Sequence, residues 1–196
     1  MQENQQATIE QYSKQLKAAL PSKRYNHSIG VMETAIMLAK LYNVDKFQAA
    51  VAGLLHDAAK YIPYDQAIKM CGEYGITVDQ AMINSPKIIH GTLGAAIVKD
   101  VYGVKDEAIL HAIQVHTLGC EKMSVLDKII YIADYIEPNR DFDGVEQLRM
   151  TANIDLNQAI LMGIDGTMQD ILARRLPIHP EAVHAWNGIL EELDVK

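Results

Sequence analysis

A histidine and an aspartate stand side by side where the most apolar stretch of the sequence ends, in Leu54-Leu55-His56-Asp57-Ala58-Ala59-Lys60. An imidazole and a carboxylate are each costly to bury without a partner. A plain account exists: Asp57 pairs with Lys60 three residues on, and His56 is a hydrogen-bonded core histidine. Other residues shift the balance. His27 lies in Arg24-Tyr25-Asn26-His27-Ser28, His90 opens a later helical segment, and His116 closes another in Ile113-Gln114-Val115-His116-Thr117. Asp134 interrupts an apolar stripe in Tyr131-Ile132-Ala133-Asp134-Tyr135. Polar groups on the apolar faces of separate helices can converge inside a bundle, and coordination of one metal ion answers all their burial costs together. Imidazole and carboxylate without a nearby thiolate suit iron, manganese, cobalt or zinc. Such an ion acidifies water and polarises a phosphoryl oxygen, so phosphorus–oxygen cleavage is the reaction class that gains most. Cations stand nearby in the chain: Arg24 about one turn before His27, Lys60 about one turn after Asp57, and Arg140 in the loop beyond Asp134. Arg offers bidentate phosphate contacts, and Lys a point charge.

Groups so far apart in sequence need helices to bring them together, and the chain reads as helices nearly throughout. Apolar spacing predicts helices over residues 9–20, 24–41, 47–58, 65–74, 90–102, 106–116, 125–136 and 181–193, with a short helix before a long one over 156–176. Asp45 and Ser124 are the expected N-caps, and Gly75, Gly103 and Gly119 the expected stops. No run alternates like a strand. The expectation is an all-α fold, a bundle of about eight to ten helices. It is one domain over residues 1–196, with an N-terminal helix in 1–20 and C-terminal helices in 145–196 packing on the core.

Composition bounds the partners. Of 196 residues, 49% are apolar and 22% charged, which suits a globular core. The net charge of −7 argues against a nucleic-acid or anionic-membrane surface, yet leaves room for a locally positive pocket. The longest apolar run, residues 49–55, is too short to cross a bilayer, and the first residues carry no leader pattern. Two cysteines, Cys71 and Cys120, make no disulfide framework, so a cytoplasmic setting is expected.

The order His27, His56-Asp57, Asp134 resembles the H…HD…D signature of the HD-domain metal-dependent phosphohydrolases. The segments RYNHSIGV, LLHDAAKYIP, the HG at His90, AIQVHTLG, LDKIIYIADYIEPNR and IHPEAVHAWN narrow the resemblance to the YqeK family. These are bacterial HD-domain hydrolases that split diadenosine tetraphosphate symmetrically. The resemblance covers roughly residues 24–187, with no departure at the motif positions. It implies an HD-domain helical bundle, bound iron with cobalt or manganese as substitutes, and release of two ADP by attack of a metal-activated water on phosphorus. GDP is the product expected from a guanine substrate, and a homodimer is compatible.

Carried onto this sequence, the resemblance makes His27, His56, Asp57 and Asp134 the metal ligands. Arg24, Lys60 and Arg140 hold phosphates, and His90, His116 and Thr117 face them. Ala58 and Ala59, between Asp57 and Lys60, belong to the nucleotide contact. The loop of Pro177, Ile178, His179, Pro180, Glu181 and Ala182 flanks the nucleoside. Asp57, Lys60, His90 and His116 are the catalytic set, with protonated His90 or His116 screening the departing ADP. His90 and His116 admit a second reading, as ligands of a second ion bridged by Asp57. One ion is favoured, because a single carboxylate pair is evident. His111 and His184 read as ordinary residues. Asp127 reads either as a group that orients a ligand or as a first-turn helix acid. The same ligand core would also serve a nucleotidase acting on deoxynucleoside or nucleoside phosphates. A non-catalytic nucleotide sensor is the alternative outside enzymology.

Overall fold

Capping and small residues build the centre of the molecule. The Asp45 carboxylate accepts from the Phe47 and Gln48 amides (2.7 and 2.9 Å) and so starts α3 (Lys46–Leu55), a helix buried on every side from Ala49 to Leu55. Three alanines and a glycine in that helix let neighbours come close. A Cβ on Gly53 would sit 3.0 Å from the Met32 Cα of α2 (Ser22–Leu41). α3 also packs on α7 (Glu107–Val115) and α8 (Val125–Ile136), and α7 packs on α6 (Ile89–Val101). Ser124 caps α8 and Asp127 answers it, its carboxylate accepting from the Ser124 amide at 2.8 Å.

The computed structural model describes residues 2–194 and holds eleven α-helices and no strand among them. α1 (Glu3–Ala19) lies on α2 and α3 through Ile9 and Leu16. α4 (Tyr64–Glu73) packs on α6 over a small core of Ala59, Ala67, Cys71, Ile89, Leu93 and Ile97. α9 (Val145–Ala152) and α10 (Leu156–Ala173) pack on α8, and α11 (Pro180–Glu192) on α10. The main core runs from Ile9 to Ile189 and takes in every one of these packed helices but α4. None of the described helices is long and apolar enough to cross a membrane.

Three differences from the sequence expectation have physical causes. The eleventh helix, α5 (Gln80–Asn84), is held by an Asp79 cap but buries nothing, so it left no apolar period to read. α1 begins six residues earlier than its first buried side chain, for the same reason. α3 stops at Leu55 and not at Ala58. There the chain tightens into successive three-residue turns, Ala58 to Leu55, Lys60 to Asp57 and Ile62 to Ala59. His56 and Asp57 thus sit on turns at the end of the most buried helix.

Candidate active site

Each of the four convergent histidines is aimed by its own Nδ1. His56 Nδ1–H donates to the Gly53 carbonyl (2.7 Å), His116 Nδ1–H to Ile113 (2.6 Å), and His90 Nδ1–H to Lys87. These are bonds to carbonyls three residues back, available because each ring stands at a helix end or first turn. His27, in mid-helix, has no free carbonyl, and its Nδ1–H donates to Glu137 Oε1 at 3.0 Å. With every Nδ1 drawn to a carbonyl or carboxylate, all four Nε2 atoms face inward.

The Nε2 atoms meet two carboxylates. His27 Nε2 is 2.9 Å from Asp134 Oδ1 and 3.8 Å from Asp57 Oδ2. His56 Nε2 is 3.3 Å from Asp57 Oδ2 and 3.9 Å from Asp134 Oδ1. Donors about 2.1 Å from a common ion lie about 3–4 Å apart, so these spacings suit one coordination shell. His56, Asp57 and His116 form a second, overlapping group, with the other oxygen, Oδ1 of Asp57, 3.1 Å from His90 Nε2 and 3.8 Å from His116 Nε2. His27 Nε2, His56 Nε2 and Asp57 Oδ1 are buried and accept or donate no hydrogen bond. Orphaned atoms of this kind are rare in a folded core, and here they lie within one cluster of imidazoles and carboxylates. The donor set therefore fits a metal ion.

Electrostatics keeps both carboxyls of the cluster ionised; at His56 burial would lower the imidazole, but Asp57 and Asp134 outweigh that and raise it. Burial would raise the Asp57 carboxyl, but His56, His116 and His90 around it outweigh that and hold it well below the usual range. Asp134 is likewise buried yet held well below it, by the adjacent His27 and by His56 and Arg140. Burial dominates at His90 and pushes it down to about 4, so it is neutral at pH 7. A protonated His90 as the screen for departing ADP does not fit that environment. Burial also lowers Lys60, against the attraction of Asp57 and Asp134 and with the repulsion of Arg24 and Arg140.

Among the expected phosphate groups, the cations rest on the carboxylates. Arg24 Nη1 donates to Asp57 Oδ2 at 2.7 Å, and Arg140 grips Asp134 through both its carboxylate and its carbonyl. Lys60 Nζ lies 3.7 Å from Asp57 Oδ1 and donates to His90 Nε2 at 3.0 Å. The two imidazoles His90 and His116 approach to 3.1 Å through Nε2, a distance that needs a proton or a cation between them. α6 and α7 come this close because residue 91 is glycine: a Cβ there would lie 2.7 Å from the Gln114 carbonyl.

A chamber of about 690 Å³ joins Lys60, His90, His116, Thr117, Asp134 and Arg140. A cleft next to it is lined by Thr117, Tyr131, Thr167, Pro177, His179 and Ala182, which places three of the six loop residues beside the phosphate groups. Ile178 is half-buried, and Pro180 and Glu181 are exposed in the first turn of α11; none of the three lines the cleft. Ala58 is half-buried, and Ala59 lies in the small core instead. His111 pairs at 3.0 Å with Asp127, which is tied to the cap of α8. Asp127 therefore serves the helix end, and touches none of the convergent histidines.

Sequence reading missed Glu137. It is buried at 1% exposure, holds His27, and accepts from both nitrogens of Asn139. Burial would raise its carboxyl, but the Asn139 amide and His27 bring it below the usual range. Its only sequence signal was an acid at the close of an apolar helix, next to Pro138. Replacing Glu137 by Ala should weaken retention of a divalent ion by about 10–100-fold, the usual effect of losing the group that orients a ligating histidine. Metal titration of the folded variant checks this; unchanged affinity would refute the orienting role.

A helical bundle that converges an H…HD…D set on one buried point is the arrangement of a metal-dependent HD hydrolase. Comparison with known proteins agrees. The HD domain family matches residues 24–139. The chain is 41% identical to "Bis(5'-nucleosyl)-tetraphosphatase, symmetrical" of Halalkalibacterium halodurans, across 90% of this chain and 94% of that one. It is 38% identical to the protein of the same description from Bacillus subtilis, across 89% and 94%. A crystal structure from Clostridium acetobutylicum, described as an HD superfamily hydrolase involved in NAD metabolism, superposes with a TM-score of 0.91 at 42% identity, covering 93% of this chain and 97% of that one. The chain belongs to the HD-domain family of phosphohydrolases, in the branch of the symmetrical bis(5'-nucleosyl)-tetraphosphatases.

Proposed function

We propose that this protein hydrolyses diadenosine tetraphosphate symmetrically to two ADP. The observation that carries the reading is the buried set of unpartnered donor atoms on His27, His56 and Asp57, next to Asp134, which lines a chamber with Lys60 and Arg140. The likeness to relatives described as symmetrical tetraphosphatases supports the substrate. His27, His56, Asp57 and Asp134 would hold the ion, which when bound supplies Lewis acidity and acidified water. Iron suits two imidazoles and two carboxylates, as do cobalt and manganese.

The chain's own residues do the rest. Arg24, Lys60 and Arg140 offset the charge of the tetraphosphate, and Arg140 stands where the chamber meets the ligand set. His90 and His116 face the same chamber, and with Thr117 they contact phosphate. We favour one ion. Lys60 already brings a positive charge to within 3.7 Å of Asp57 Oδ1, the oxygen a second ion would need. Pro177, His179 and Ala182 flank the nucleoside, adenine first and guanine with GDP as product. The protein is read as one domain over residues 1–196, with the cytoplasm as its setting in keeping with two unpaired cysteines.

The test is product analysis. Purified protein with iron, cobalt or manganese should turn diadenosine tetraphosphate into ADP alone, resolved by chromatography. AMP with ATP, or no turnover with any of the three ions, would overturn the reading. Turnover confined to nucleoside mono- or triphosphates would make the protein a nucleotidase, and ADP binding without turnover a sensor.

A further inference from the structure

A second chamber adjoins the ligand set, and the proposed function gives no part to its Lys23, Tyr61 and Phe142. It measures about 660 Å³, against about 690 Å³ for the first. His27 stands in its wall, as His116 stands in the wall of the first. Arg140 and Phe142 line both chambers, so the two meet along that loop. Each volume falls within the range of small-molecule sites. The cavity beside Lys60, about 180 Å³, and the cleft beside Pro177, about 60 Å³, each fall below it.

The lining suits a nucleoside diphosphate. Lys23, Arg24 and Arg140 supply cations to a chain whose net charge is −7. Tyr61 lines this chamber alone and is 54% exposed, and Phe142 at the junction is 43% exposed. An aromatic ring left this open offers its face to a base, and such stacking tolerates any base because each has a π face. A mononucleotide substrate needs one chamber. A substrate with two identical halves needs two of matching size, with the reacting phosphate between them.

Resting on the function proposed above, we propose that the chamber lined by Lys23, Arg24, Tyr61 and Asn139 seats the second nucleoside diphosphate half of the substrate. Tyr61 stacks on its base and Arg140 receives the phosphate chain where the chambers join. Specificity for dinucleoside over mononucleoside polyphosphates then resides in this chamber.

The test compares diadenosine tetraphosphate with adenosine 5'-tetraphosphate, which carries the same four phosphates but lacks the second nucleoside. The wild-type protein should prefer the dinucleotide in kcat/KM by about 10-fold or more, as loss of a stacked base would give. Tyr61→Ala should bring that preference close to parity, chiefly by raising KM for the dinucleotide, and Tyr61→Phe should keep it. At 54% exposure, Tyr61 can be truncated without opening the core. A wild-type protein without preference, or a Tyr61→Ala variant that retains it, overturns this proposal and leaves the proposed function standing. A wild-type protein that hydrolyses neither compound overturns both.

Discussion

Replacing Asp57 by Asn should lower kcat/KM for diadenosine tetraphosphate by at least ~10³-fold and remove bound metal. Asn keeps the volume and loses the charge. Asp57 is 1% exposed and is the anion that Arg24, Lys60, His56, His90 and His116 all face. Lewis-acid stabilisation of a phosphoryl transition state amounts to several kcal/mol, and each 1.36 kcal/mol is tenfold in rate, so losing a ligand that also balances five donors costs about three powers of ten. The folded state weakens as well, because breaking one side of a buried charge cluster costs about 3–5 kcal/mol. For a chain of this size that is roughly 2–4 °C in Tm per kcal/mol. Far-ultraviolet circular dichroism before and after metal loading keeps the two effects apart. A folded Asp57→Asn variant with full metal content and near-normal turnover would refute the ligand assignment.

Chelation is the second large effect. Stripping the ion should abolish turnover and lower Tm, and iron, cobalt or manganese should restore both. An ion that binds only the folded state stabilises it by about 4 kcal/mol at a thousandfold excess over its Kd. At roughly 2–4 °C per kcal/mol this is a rise of about 8–16 °C on reloading. The stripped protein should still fold, because Arg24 lies on Asp57 and Arg140 on Asp134, so each carboxylate keeps one cation when the ion is gone. Turnover undiminished after chelation, or a Tm indifferent to metal, would count against the centre as described.

The two effects depend on parts of the molecule that were legible to different degrees before the fold was known. His27, His56-Asp57 and Asp134 were conspicuous because each is a polar group in an apolar helical stripe, and the structure puts both imidazole Nε2 atoms 2.9–3.9 Å from the two carboxylates. The helices themselves were visible wherever one face is buried; α8 falls on the expected residues, and the Asp45 and Ser124 caps stand where capping chemistry places them. Glu137 was not visible as a partner of His27. The two are 110 residues apart, and nothing local to an acid before a proline says which ring it will meet. Ala59 and Pro180 show the converse. They lie within stretches that contact the site, but the turn geometry after Leu55 and the start of α11 send one into a small core and the other to solvent.

The order and types of the ligands, the helical class and the expectation of phosphorus chemistry were thus determined by sequence alone. Periodicity and burial cost act along a single helix, and residue type sets which ion and which bond a site can serve. Only the tertiary structure decided which nitrogen of each histidine faces inward, which carboxylate each arginine neutralises, and that two chambers of nearly equal volume meet at Arg140 and Phe142. Those outcomes come from contacts between helices that are remote in the chain, and the close approach that makes them, as at Gly53 and Gly91, is a property of the packed bundle.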